Sequence, residues 1–153
     1  MAHFNLNCKL PHDIKTLDCA DGMLKSERFN MPFDVTFSRL YADNKPDIEA
    51  VFKFKNASFS DEAGLHAAEK LNVTWAIALK PQADDWLWRT SLDWQSGEVF
   101  WQPFYIANGG HRLNAEGKLE NGLLTLHQAH LTVKDVGELN VAGQYNLNDF
   151  KWL

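Results

Sequence analysis

Leu113-Asn114-Ala115-Glu116-Gly117 returns 26 positions later as Leu139-Asn140-Val141-Ala142-Gly143. Between the two copies, Leu123, Thr125, Ala129, Leu131 and Val133 share one parity, and a strict period of two sends successive side chains to opposite faces of a sheet. Glu120-Asn121-Gly122 and Asp135-Val136-Gly137 interrupt the alternation where a turn needs a residue that tolerates positive φ. The stretch from Leu113 to Leu147 therefore reads as strand, tight turn, strand, repeated.

Working outward, the same alternation gives about eleven candidate strands. Toward the N-terminus they are Phe4 to Leu10, Ile14 to Cys19, Met23 to Phe29, and Phe33-Val35-Phe37. Ile48, Ala50, Phe52 and Phe54 then share a face opposite Glu49, Lys53 and Lys55. Val73, Trp75, Ile77 and Leu79 form the next strand, followed by Trp86, Trp88, Thr90, Leu92 and Trp94 opposite Arg89, Ser91 and Asp93. Ala20-Asp21-Gly22, Asp43-Asn44-Lys45-Pro46, Pro81 to Asp85 and Gln95-Ser96-Gly97 read as turns, and Asn108-Gly109-Gly110 as a hairpin signal. From Glu98 to Ile106 the alternation fails: Val99, Phe100, Trp101, Phe104 and Tyr105 occupy both parities, which predicts a strand covered on both faces. Ser60 to Leu71 alone does not read as strand; Ser60-Asp61-Glu62-Ala63 and Ala67-Ala68-Glu69-Lys70 allow one short helix near 61–71.

The chain has 153 residues, enough for a single domain over 1–153, and its 45% hydrophobic and 23% charged content excludes a disordered chain. No apolar run reaches the roughly 18 residues a membrane-spanning helix needs. A net charge of −5 argues against nucleic acid as a partner, because the phosphate backbone rewards a basic face. The start at Met1-Ala2-His3, directly ahead of Phe4, Leu6 and Cys8, suggests a segment excised from a longer protein.

Reaction chemistry has little purchase on these residues. No GxSxG, Walker loop, GxGxxG or HExxH occurs, so no catalytic residue, metal ligand or cofactor is assigned. The six histidines read as solvated or structural, with His127 and His130 expected on opposite faces of a strand. Cys8 and Cys19, eleven apart on the first two strands, face each other as a disulfide if the chain turns between Pro11 and Thr16; buried free thiols are the alternative. Trp75, Trp86, Trp88, Trp94 and Trp101 fall within 27 residues. They suit a core, a sugar-stacking platform or a groove for lipid tails.

Leu113 to Leu119, Gly122 to Leu126 and Gly137 to Gly143 resemble the AsmA-like envelope proteins of Gram-negative bacteria, most nearly the YdbH-type branch. Ala57-Ser58-Phe59-Ser60, Gly64 to Leu71 and Trp86 to Gly97 are similar as well, so the likeness spans roughly 48 to 147. That resemblance implies an all-β, mainly antiparallel, elongated, twisted or taco-like repeat sheet with one apolar concave face. It implies a segment of a periplasmic, bridge-like lipid transport protein, tethered to the inner membrane through a part absent from this chain. Its partners would be phospholipid, or another acyl-chain ligand, and the remaining repeats of the parent. The expected groove lining is Trp75, Ile77, Leu79, Trp86, Trp88, Leu92, Trp94, Leu113, Leu139 and Val141. The other reading is a structural or carbohydrate-binding β-sandwich domain of a secreted protein.

Overall fold

The computed structural model describes residues 2–9, 15–42 and 45–147. Ten strands run in chain order: β1 (His3–Lys9), β2 (Thr16–Lys25), β3 (Phe29–Ala42), β4 (Lys45–Ser60), β5 (His66–Gln82), β6 (Asp85–Trp101), β7 (Phe104–Ile106), β8 (His111–Glu120), β9 (Leu123–Val133) and β10 (Gly137–Asn146). All pairings are antiparallel, and the sheet order is β1-β2-β3-β4-β5-β6-β8-β9-β10, with the three-residue β7 beside the end of β6. The sheet is open, not closed into a barrel, and the described residues contain no helix.

Directly paired residues of antiparallel strands point to the same face, so the registers define rows across the sheet. One row runs Phe52, Trp75, Leu92, Leu113, Leu131, Leu139, from β4 to β10. The next rows on that face are Ala50, Ile77, Thr90, Ala115, Ala129, Val141 and Ile48, Leu79, Trp88, Gly117, Leu126, Gly143. The opposite face carries Lys53, Thr74, Asp93, Arg112, Thr132 and Glu138 in register. The period-two pattern thus becomes a two-faced sheet. Gly117 and Gly143 both pair with Leu126, so the repeat is structural: the two phrases occupy equivalent places either side of β9.

A globular domain would cover the apolar face with a second layer. Here one sheet accounts for all described strands. Among the described residues, the buried apolar ones are small (Cys19, Ala57, Ala68 and Ala115), and no large side chain is fully buried. Aromatic neighbours shelter one another instead: Phe33 lies 6.0 Å from Phe54 between ring centroids, and Phe52 lies 5.8 Å from Trp75.

Several expected boundaries move. Ala20-Asp21-Gly22 and Gln95-Ser96-Gly97 are not turns but irregularities inside the continuous β2 and β6. Asp21 and Gly97 have φ of 54° and 108°, values a bulge needs as much as a turn does. At Gly97 a Cβ would lie 2.6 Å from the Lys70 carbonyl oxygen. Matching shifts in β3, β4 and β5 make a line of bulges across five strands. Asn72 fastens part of it: its Oδ1 accepts from Asn56 N–H at 3.1 Å, and its Nδ2 donates to Ser96 Oγ at 2.8 Å.

Ser60 to Leu71 is not helical. Ser60 ends β4, and β5 begins at His66. The Asp61 carboxylate accepts from Leu65 N–H at 2.8 Å and meets His66 Nδ1 at 2.6 Å, closing a hairpin. That contact holds the Asp61 carboxyl below its usual 3.8. Ala67 and Ala68 are small because they sit between paired strands, opposite Ser60 and Phe59, so packing overrides their helical propensity. The Asn108-Gly109-Gly110 signal does not close a hairpin either: it carries the chain from β7 to β8, and both pair with β6 at different levels.

In β9 a bulge at His127 reverses the expected parity. Leu124 and Leu126 share the face of Ala129, Leu131 and Val133, whereas Leu123 and Thr125 pair with Glu120 and Lys118 on the other face. Opposite facing of His127 and His130 therefore cannot be read from their separation. The expected turn at 43–46 and the turn after Pro11 fall wholly or partly outside the described residues.

Cys8 and Cys19 are register partners and form a disulfide, which joins the edge strand β1 to β2. A loop of this length limits the unfolded chain by about 3 kcal/mol. Because β1 is hydrogen-bonded to β2 alone and reaches β3 through the stacking of Phe4 on Phe33, Cys8→Ser should loosen this edge: hydrogen exchange should accelerate in β1 and leave β5 and β6 protected. Uniform acceleration across the sheet would contradict this.

Candidate apolar binding face

All ten residues expected to line a groove point to one face: Trp75, Ile77, Leu79, Trp86, Trp88, Leu92, Trp94, Leu113, Leu139 and Val141. They are joined there by Phe33, Phe52, Phe54, Leu119, Leu124, Leu126 and Leu131. Phe52 and Phe54 were legible from alternation in β4. Leu124 and Leu126 were not, because nothing in the sequence around His127 announces a bulge. Trp101 belongs elsewhere, paired with His66 at the far end of β6.

The indoles are anchored unevenly. Trp75 Nε1 donates to Thr90 Oγ1 at 2.7 Å, and that hydroxyl donates to the Ala76 carbonyl at 3.0 Å. Thr90, the one polar residue among the nine alternating positions of β5 and β6, thus serves the tryptophan. Trp94 Nε1 donates to the Ser96 carbonyl at 2.9 Å. Trp88 lies over Gly117, and its buried Nε1 has no partner among the described residues. Between these rows lies a shallow groove of about 360 Å³, lined only by Ile48, Leu79, Trp86, Trp88, Leu119 and Leu124. Such a surface offers area and no directed polar contact.

His111 is the one buried polar residue among those described. Its Nδ1 accepts from Lys134 N–H at 3.0 Å, its Nε2 lies 3.3 Å from the Ala107 carbonyl, and its ring meets Trp94 edge-on at 4.7 Å. Both nitrogens are engaged by backbone, which makes it a clasp for the β7–β8 and β9–β10 connections.

The opposite face is laced by ion pairs: Arg112 with Asp93 at 3.5 Å, Arg89 with Glu116 at 3.9 Å, Lys118 with Asp85 at 2.6 Å, and Lys55 with Asp34. Lys55 holds the Asp34 carboxyl below its ordinary value, and the Asp85 and Glu120 carboxylates hold the Lys118 ammonium above its own. Exposed pairs of this kind contribute little to stability, and two of them, Arg89 with Glu116 and Arg112 with Asp93, set opposite charges face to face across paired strands. Among the described residues, no group of three or more His, Cys, Asp or Glu side chains could hold a metal ion.

Comparison with family models, with curated proteins and with solved structures returns no match to this chain.

Proposed function

We propose that this chain is a segment of a periplasmic, bridge-like lipid transport protein, and that its apolar face shields phospholipid acyl chains on their way between membranes. The observation that carries the reading is the row of Phe, Trp and Leu side chains running across the sheet from β4 to β10, with no second layer above it among the described residues. An acyl chain needs no polar constellation, since each buried methylene contributes about 0.8 kcal/mol through area alone. The Cys8–Cys19 disulfide suits the oxidising periplasm. The sequence resemblance to AsmA-like proteins supports the same assignment, with the remaining repeats and the inner-membrane tether supplied by the parent chain.

A photo-crosslinker placed at Leu92 in the parent protein should capture phospholipid in cells, and one at Ser91, on the polar face, should not. A folded protein that captures no lipid at Leu92 overturns the reading.

A further inference from the structure

The segment predicted to be covered on both faces is exposed on both. β6 ends and β7 begins in the hairpin Phe100-Trp101-Gln102-Pro103-Phe104-Tyr105, in which Phe100 pairs with Tyr105 and Trp101 with Phe104. Adjacent pairs of an antiparallel hairpin point to opposite faces, so each face of this tip carries two aromatic rings. Their exposure is 36% for Phe100, 55% for Trp101, 67% for Phe104 and 61% for Tyr105, with Leu65 beside them at 42%. His66 shelters one of these rings closely, lying 4.1 Å from Trp101 between centroids.

From this we infer that the β6–β7 hairpin is a membrane-docking tip that inserts its aromatic side chains into the interfacial region of a phospholipid bilayer. A protein partner with one complementary surface would cover one face of the hairpin and leave the other two rings in water. A bilayer interface surrounds a projecting tip and takes both faces at once. The residue types fit: Trp and Tyr rings, each apolar with one polar edge, concentrate at the head-group level of membranes. Residues 100–106 carry no charged side chain, so insertion buries no ion. Around the tip, Asp61, Glu62, Glu69 and Glu98 outnumber Arg28 and Lys70, which selects a zwitterionic surface over an anionic one. The Glu98 carboxylate accepts from the Tyr105 hydroxyl and holds it above its ordinary range, so the ring keeps a polar edge for the head-group level. Membrane docking by this tip does not depend on tail binding by the broad apolar face, since β7 and the end of β6 lie outside that surface.

The test is flotation of the purified chain with phosphatidylcholine vesicles. The native chain should float, and the double variant Trp101→Ser/Phe104→Ser should lose about 100-fold in partitioning, the loss expected when two large side chains no longer transfer from water. Leu92→Asp, which damages the broad face, should float like the native chain. In parallel, a polarity-sensitive fluorophore on Gln102→Cys, the single free thiol in a chain whose two cysteines are bonded to each other, should shift its emission to the blue when vesicles are added. A native chain that stays with the buffer, a double variant that floats equally well, or an unshifted fluorophore overturns the inference. A tip that serves a protein partner would give those same negative results.

Discussion

Gly117→Ala should cost about 3 kcal/mol or more of unfolding free energy, whereas Gly143→Ala, at the equivalent place in the repeat, should stay within about 0.5 kcal/mol of the native chain. The two glycines pair with the same residue, Leu126, from opposite sides. Their surroundings differ. A Cβ at Gly117 would overlap the Thr125 carbonyl oxygen and lie 2.7 Å from the Trp88 ring. The carbonyl belongs to the sheet's own backbone and cannot swing aside, and the indole is wedged between rows. At Gly143 a Cβ would meet nothing within 4 Å, because no strand lies beyond β10 among the described residues. Urea denaturation of the two variants is the measurement. Equal losses would mean that Trp88 does not rest on Gly117.

Under the proposed function, Leu92→Asp should abolish acyl-chain transfer by the parent protein, with binding weakened at least about 100-fold, while Ser91→Asp leaves transfer unchanged. Leu92 sits in the middle of the longest apolar row, between Trp75 and Leu113. A carboxylate there must lose its water whenever a tail covers it, a cost of several kcal/mol, and its register partners, Trp75 and Leu113, offer no cation to compensate. Ser91 points the other way, in register with Ala76 and Asn114, where an added charge stays hydrated. Both variants should fold, since neither position is deeply buried and the charge meets water in the unliganded sheet. Transfer of fluorescent phospholipid between vesicles separates the two faces. Equal losses from both, or from neither, would contradict the assignment of function to the apolar face.

The sequence carried the faces of β4, β5, β6, β8 and β10 because each contains a long stretch of alternation, and alternation is a direct consequence of the pleat. It was a poor guide to where strands end. A glycine or an asparagine at positive φ announces a backbone excursion without saying whether the chain reverses or merely jogs. Asp21-Gly22 and Ser96-Gly97, with positive φ at Asp21 and Gly97, therefore read as turns although they lie inside strands of 10 and 17 residues. The bulge at His127 was invisible for the opposite reason: neither His127 nor Gln128 is a residue that special backbone geometry selects. Ala67 and Ala68 misled because helix formers and space-savers under a crowded sheet are the same residue type. The candidate binding face was legible as composition and parity. That it stays uncovered was not, because a core and an open groove demand the same alternating side chains.

With the exception of β7, every strand lies between its neighbours in the chain. Such a meander closes only short loops, one hairpin at a time, and short-range closure makes for fast, low-entropy assembly steps. No strand has to wait for a distant partner. The polypeptide can zip from either end, or from the long β5–β6 pair outward, each new strand templated on the edge left by the last. Stability then accumulates as a sum of nearest-neighbour interfaces, as in solenoid repeats. A sheet built this way can lengthen in evolution by duplicating a hairpin, as the Leu113 and Leu139 phrases suggest, without redesigning anything already folded.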